Sequence, residues 1–262
     1  MRSAVRERWI EFTEPLEGGV PYFYADIRGL ITIAYGNLVD PLSLALGLPM
    51  KRPDGSDATT TEITAAWLAV KGDPKAPTWG HTYARTLTSL RLTRDGMSAL
   101  ALGRLELNDH VLRRRLSNWD DLPACAQMAL HSLAWACGPE FHFPKLLSAV
   151  LARDFEAASV HIHMNEWTPE GKRNAGLVPR NVANKLLMRN AERVQSYKLD
   201  PDTIEWHHLI GVEDLDTQPD LPNPASEPTV YIAEPDQPIV HPRLYDEEWT
   251  RPIEIHDDDG ED

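Results

Sequence analysis

Two carboxylates and a hydroxyl form the most chemically suggestive set in this chain: Glu17, Asp26 and Thr32, separated by 9 and then 6 residues. Cleavage of a glycosidic bond needs one protonated carboxyl to donate to the leaving oxygen and one ionised carboxylate on the opposite face of the sugar. A hydroxyl nearby can steady the attacking water. The same spacing also suits surface charges around a turn, and spacing alone does not choose between the two.

The elements that must hold these groups can be read from periodicity. Arg2 to Glu14 has helical spacing, Pro15 is expected to interfere with its continuation, and Gly18-Gly19 supply a stop. Val20 to Val39 is rich in β-branched and aromatic residues around a turn near Arg28-Gly29, which predicts a small hairpin lobe with Glu17 at its entrance. Residues 41–91 read mostly as loop, including Pro49 to Gly55 and Gly72 to Gly80, with a short helix from Glu62 to Val70.

A helical body follows. Arg91 to Asn118 is expected to form a helix with Met97, Leu100, Leu107, Val111 and Leu112 on one side, and Arg113-Arg114-Arg115 are expected to be a solvated end. Ala124 to Cys137 is apolar nearly all round, opens after Pro123 and stops at Gly138-Pro139, the pattern of a buried central helix. Phe143 to Ala158 and Pro179 to Tyr197 predict two further helices.

The run from Glu17-Gly18 through Tyr24-Ala25-Asp26, Gly29 and Thr32-Ile33 to Gly36-Asn37 resembles, without a gap, the active-site signature of phage-type lysozymes (endolysins), E-G-x-x-x-x-x-Y-x-D-x-x-G-x-x-T-I-G-x-G-H. A second block, Leu122-Pro123 through Leu130-His131-Ser132 to Gly138 and on to Asp154-Phe155, resembles that family's central helix. A third, Trp167, Gly171-Lys172 and Gly176-Leu177-Val178-Pro179-Arg180, resembles its W…G-K…G-L-V-x-R-R ending. The three blocks stand in family order across most of residues 1–199, with 41–91 as an apparent insertion.

The resemblance implies an α+β, mainly helical lysozyme-like fold, with a cleft between a β-hairpin lobe and a helical body. It implies hydrolysis of the β-1,4 bond between N-acetylmuramic acid and N-acetylglucosamine in bacterial peptidoglycan, by inversion and without a cofactor. By position, Glu17 would be the general acid, Asp26 the carboxylate that activates or holds the water, and Thr32 its positioning hydroxyl. Arg180 would sit against Glu17, with Tyr24 and Asn37 as supporting or substrate-binding residues. Burial would raise the pKa of Glu17 and a guanidinium would lower it, so the sequence leaves that balance open. The chain departs from the family at Ala34 for glycine, Asn37 for histidine, Trp135-Ala136 for F-N and Asn181 for the second arginine. Related glycanases acting on chitin or chitosan, and a non-catalytic wall-binding protein that kept the fold, are the alternatives.

Composition bounds the rest. With 262 residues, 42% hydrophobic and 25% charged, the chain has the balance of a globular protein large enough for a sizeable core. No apolar run reaches the roughly 18 residues of a membrane helix, and Met1 to Arg8 lacks a signal's apolar stretch. The expectation is cytoplasmic synthesis, then action on the wall after release through a holin or delivery by a contractile secretion system.

Residues 200–262 carry 19 of the 40 acidic residues, two arginines and 9 of the 21 prolines, a net −17 that leaves the preceding residues at +3. They read as an acidic, largely disordered tail, a candidate docking site for a loading or immunity partner. Neither nucleic acid nor a membrane is an expected partner.

Cys125 and Cys137, about 18 Å apart on one helix, are expected to be free buried thiols. His161, His163, His207 and His208 lack companions for a metal site. Trp67, Trp79, Tyr83, Trp119 and Trp167 are expected mostly in the core, with Trp79 the best candidate for exposure and sugar stacking.

Overall fold

A computed structural model describes residues 1–167, 174 and 176–206. The architecture is α+β and mainly helical, with one three-stranded antiparallel sheet among the described residues. Helix α1 (Ser3–Glu17) leads into strands β1 (Val20–Ala25), β2 (Ile31–Ala34) and β3 (Asn37–Leu38). Helices α2 (Thr60–Lys71), α3 (Ala76–Ala84), α4 (Arg94–Arg115), α5 (Ala124–Cys137), α6 (Pro144–Leu151), α7 (Phe155–His161) and α8 (Leu177–Ser196) follow.

Helix α1 does not yield at Pro15. Val5, Trp9, Phe12 and Leu16 form a buried stripe, and that packing carries the helix one turn further, to Glu17. Gly18 (φ 67°, ψ 164°) then takes a conformation that side chains resist and turns the chain into β1. The β1–β2 turn is organised by Asp26, whose Oδ1 accepts from the backbone N–H groups of Arg28 (2.9 Å) and Leu30 (2.8 Å). Tyr24 stands opposite Thr32, Thr32 opposite Leu38 and Ile33 opposite Asn37, so the expected hairpin is the larger part of a sheet closed by a two-residue third strand.

Residues 41–91 are more ordered than their loop chemistry implied. Helix α2 starts with Thr59 and Glu62 capping one another, and Arg52 bonds both oxygens of Glu62. The expected loop at Gly72 to Gly80 is corrected from Ala76 onward, where α3 packs on β1. Its signal was masked by Pro77 in the first turn and by Gly80, whose φ of 71° kinks it.

Helix α5 is the hub, buried from Ala124 to Ala136 and packed against α1, α4 and α8. In α4, Met97, Ala101, Leu105, Asn108 and Leu112 turn inward, whereas Leu107, assigned to the buried side, is exposed. Phe143 to Ala158 is two helices, not one. Arg153 (φ 58°) ends α6, and Asp154 caps α7 by accepting from Ala157 N–H at 2.9 Å.

Arg113 and Arg115 are likewise not simply solvated: Arg113 pairs with Asp109 and Asp120, and Arg115 donates to the carbonyls of Pro139 and Phe141. Residues 200–206, assigned to the tail, belong to the folded body. Pro201 accepts from Ala124 N–H at 2.8 Å, and Ile204 and Trp206 are buried, with Arg8 over the Trp206 ring. The remainder of the expected tail, 207–262, lies outside the described residues. No helix of the described residues is long and apolar enough to cross a membrane.

Candidate functional site

Glu17 reaches the site because the packing of α1 carries the helix past Pro15. Its side chain is 0% exposed and pairs with Arg180 from α8, which is 1% exposed. Arg180 is fixed in turn by α5, donating from Nη1 to the Ser132 carbonyl (3.2 Å) and hydroxyl (3.1 Å). Glu17 Oε1 takes the guanidinium bond, whereas Oε2 is buried with no hydrogen-bond partner. An oxygen left dry and unbonded favours the neutral acid.

The electrostatics agree with that geometry. Burial pushes Glu17 above its ordinary value of 4.5 and outweighs the opposing attraction of Arg180, then of Arg104, and the Arg180 hydrogen bond. The balance left open by the sequence is therefore settled towards a raised value. Arg104, on α4, was not foreseen. It donates to the carbonyls of Gly36 (3.0 Å) and Trp135 (2.9 Å) and lies 4.1 Å above the Trp135 ring, while Trp135 Nε1–H bonds the Tyr35 carbonyl at 3.2 Å. The turn between β2 and β3 is thus fastened to α4 and α5. No spacing in the sequence connects Arg104 to Glu17, since only tertiary packing brings α4 to the end of α1.

Tyr24 is the link between the two carboxyl groups. Its hydroxyl is raised well above its usual range by burial first, then by the charges of Glu17 and of Asp26. Thr32 faces Tyr24 across the ladder, and directly opposed residues share a sheet face. Asp26 follows two residues beyond Tyr24 and is only partly buried. Tyr24 thus shares a sheet face with Thr32 and feels the charges of both Glu17 and Asp26. Thr32 Oγ1 is bonded to the Leu30 carbonyl at 3.4 Å.

Asn37 is opposite Ile33, hence on the other face from Tyr24 and Thr32, and its Nδ2 donates to the Leu100 carbonyl of α4 at 3.4 Å. It is 4% exposed and joins sheet to helix, a supporting position. The Glu17 carboxyl has no contact with solvent.

A second buried polar group escaped notice in the sequence. His131 of α5 lies 3.5 Å from Asp109, which also accepts from the amino terminus and from Trp119 Nε1–H, each at 2.9 Å. Burial lowers the pKa of His131, with Asp109 pulling the other way. Its edge-on packing against Trp9 and Trp119 makes it a core residue.

Among the aromatics considered for stacking, Trp67 and Trp119 are buried, and Trp79 and Trp167 are exposed. Cys125 is buried and Cys137 partly so, and neither is in a disulfide. Among the described residues, no group of three or more His, Cys, Asp or Glu could hold a metal ion; His207 and His208 lie outside them. In comparisons with known proteins, the chain matches no protein-family model and no curated protein.

Proposed function

We propose that this protein is a glycoside hydrolase of the lysozyme type, cutting the β-1,4 bond between N-acetylmuramic acid and N-acetylglucosamine in peptidoglycan. The observation that carries the reading is the Glu17 carboxyl. It is sealed from water, raised above its ordinary pKa despite two nearby guanidinium groups, and close enough to Asp26 for Tyr24 to feel both charges. A carboxyl group whose burial raises its pKa, set near a second carboxyl group that is more open to solvent, is the pairing that glycosidic cleavage requires.

In this mechanism Glu17 gives its proton to the glycosidic oxygen as the bond to the anomeric carbon breaks. Water adds to that carbon from the other face and loses its proton to Asp26, and Thr32 orients the water. Arg180, held by Ser132, fixes the acid and steadies the carboxylate left after proton transfer. Since the Glu17 side chain is 0% exposed, a saccharide meets it only once the residues packed over it part.

The test is turbidity clearing and muropeptide analysis on purified peptidoglycan. The wild type should release reducing muramic acid ends, and Glu17→Gln should release none. Clearing by the variant would remove Glu17 from the mechanism; reducing ends only from chitin oligomers would reassign the substrate; wall binding without cleavage would leave a binding protein. Delivery through a holin or a contractile apparatus, with an acidic partner-binding segment beyond residue 206, belongs to the same proposal. Truncation there should leave hydrolysis intact and abolish export or partner pull-down.

A further inference from the structure

Helix α3 sits on the strand that leads to Asp26. Pro77 Cγ lies 3.8 Å from where a Cβ on Gly29 would project, in the β1–β2 turn, and the His81 ring meets the Tyr24 ring edge-on at 6.3 Å. Between those contacts is Trp79, 59% exposed. Burying an indole is worth a few kcal/mol in an average protein, so a large ring held in water forgoes stability.

The ring is braced rather than loose. Tyr83 packs edge-on against it with centroids 4.9 Å apart, and Lys75 Nζ is 4.8 Å from its centroid. Asp73 ties both neighbours together, accepting from Lys75 N–H at 2.7 Å and from the Tyr83 hydroxyl at 2.9 Å. Gly80, at φ 71°, allows the backbone to break between Trp79 and His81, so one residue faces water while the other packs on Tyr24.

We infer that Lys75, Trp79 and Tyr83 form a glycan subsite on the insertion, taking an N-acetylated pyranose that carries an acidic substituent. The indole offers a rigid platform for the apolar face of a sugar ring, with little side-chain entropy left to lose. The ammonium of Lys75, which lies over the ring, suits a carboxylate on the same or the next residue of the chain, such as the lactyl or peptide carboxylates of wall glycan. Uncharged chitin lacks that group. Continuity with the Asp26 turn lets a single glycan strand span both places. The inference rests on the wall-glycan reading of Glu17 and Asp26 and extends it along the strand.

Trp79 can be changed without disturbing the core, and thermal unfolding of each variant checks that. The full chain is titrated with soluble N-acetylglucosamine–N-acetylmuramic acid oligomers and with chitin oligomers of equal length, following tryptophan fluorescence, and KM and kcat are measured on purified sacculi. Trp79→Ala should weaken binding of the muramic oligomer roughly five-fold to ten-fold and raise KM by a similar factor, with Trp79→Phe recovering most of it. Lys75→Gln should weaken the muramic oligomer and spare the chitin oligomer.

Unchanged binding and KM in Trp79→Ala would overturn the subsite. So would a change in oligomeric state without a change in glycan affinity, because the ring would then be a protein contact. If the wild type binds sacculi through Trp79 but cuts nothing, the subsite stands and the hydrolase reading falls.

Discussion

Replacing Arg180 by methionine tests the central electrostatic claim. The substitution keeps much of the buried volume and removes the guanidinium that donates to Ser132 O, Ser132 Oγ and Glu17 Oε1. In the wild type, Glu17 already has a folded-state pKa above 4.5, so its contribution to stability is complete below 4.5 and is lost as pH rises through the folded value.

Without Arg180, the largest influence lowering that value is gone, and it moves higher still. Where Glu17 is neutral in both proteins, the variant lacks only hydrogen bonds and some packing, about 1–3 kcal/mol. Above the wild-type value the deficit deepens by up to about 1.4 kcal/mol per pH unit, towards the roughly 3–5 kcal/mol expected when a buried pair loses one member. Urea unfolding of both proteins over the whole pH range in which both stay folded reads this directly, because other titrating groups cancel in the difference. The double variant Glu17→Gln/Arg180→Met should show a deficit that does not change with pH. A deficit in the single variant that stays constant, or shrinks as pH rises, would refute the claim that Arg180 offsets the burial of Glu17.

Asp26→Asn retains an oxygen for the Arg28 and Leu30 N–H groups, so the melting temperature should barely move while wall hydrolysis drops by roughly 10²–10⁴; a collapsed melting temperature would make Asp26 a structural residue only. Gly138→Ala should cost about 1–3 kcal/mol in chemical denaturation although no atom lies within 4 Å of the new methyl, because φ 79° with ψ 154° is glycine territory. Cys125, pushed by burial up to about 11, should resist iodoacetamide in the native protein at neutral pH and react on unfolding, whereas the less buried Cys137 reacts first. Equal labelling of both in the native state would contradict the burial of Cys125.

Much of the fold was written locally. Helix α5 announces itself through an unbroken apolar run between Pro123 and Gly138, and the β1–β2 turn through Asp26 and Gly29. Misreadings arose where tertiary packing overrode local chemistry. Pro15 argued for an early stop that the buried Phe12 and Leu16 overrule, and Pro77 with Gly80 hid α3. Arg153 accepts a positive φ that no glycine signalled.

At the site, family resemblance supplied Glu17, Asp26, Thr32 and Arg180, and the structure seats Arg180 on Glu17 across 163 positions of sequence. The burial of Glu17, the approach of Arg104 and the face of Asn37 were not legible. Each depends on how elements stack or on strand register, and a single-residue slip in register would exchange the faces of the sheet.

The junction between helix and sheet has a consequence for how this protein can change. Only Gly18 and Gly19 separate Glu17 from β1, a leash of about 7 Å at full stretch. A Cβ on Gly19 would already come within 3.4 Å of Tyr35 Cε1. Glu17 and the sheet are therefore geared together: any swing of the strands turns its carboxyl with them. Insertions here would shift Glu17 against Asp26, so the proposed glycan site has its freedom to adapt in the segment after β3, where α2 and α3 are mounted.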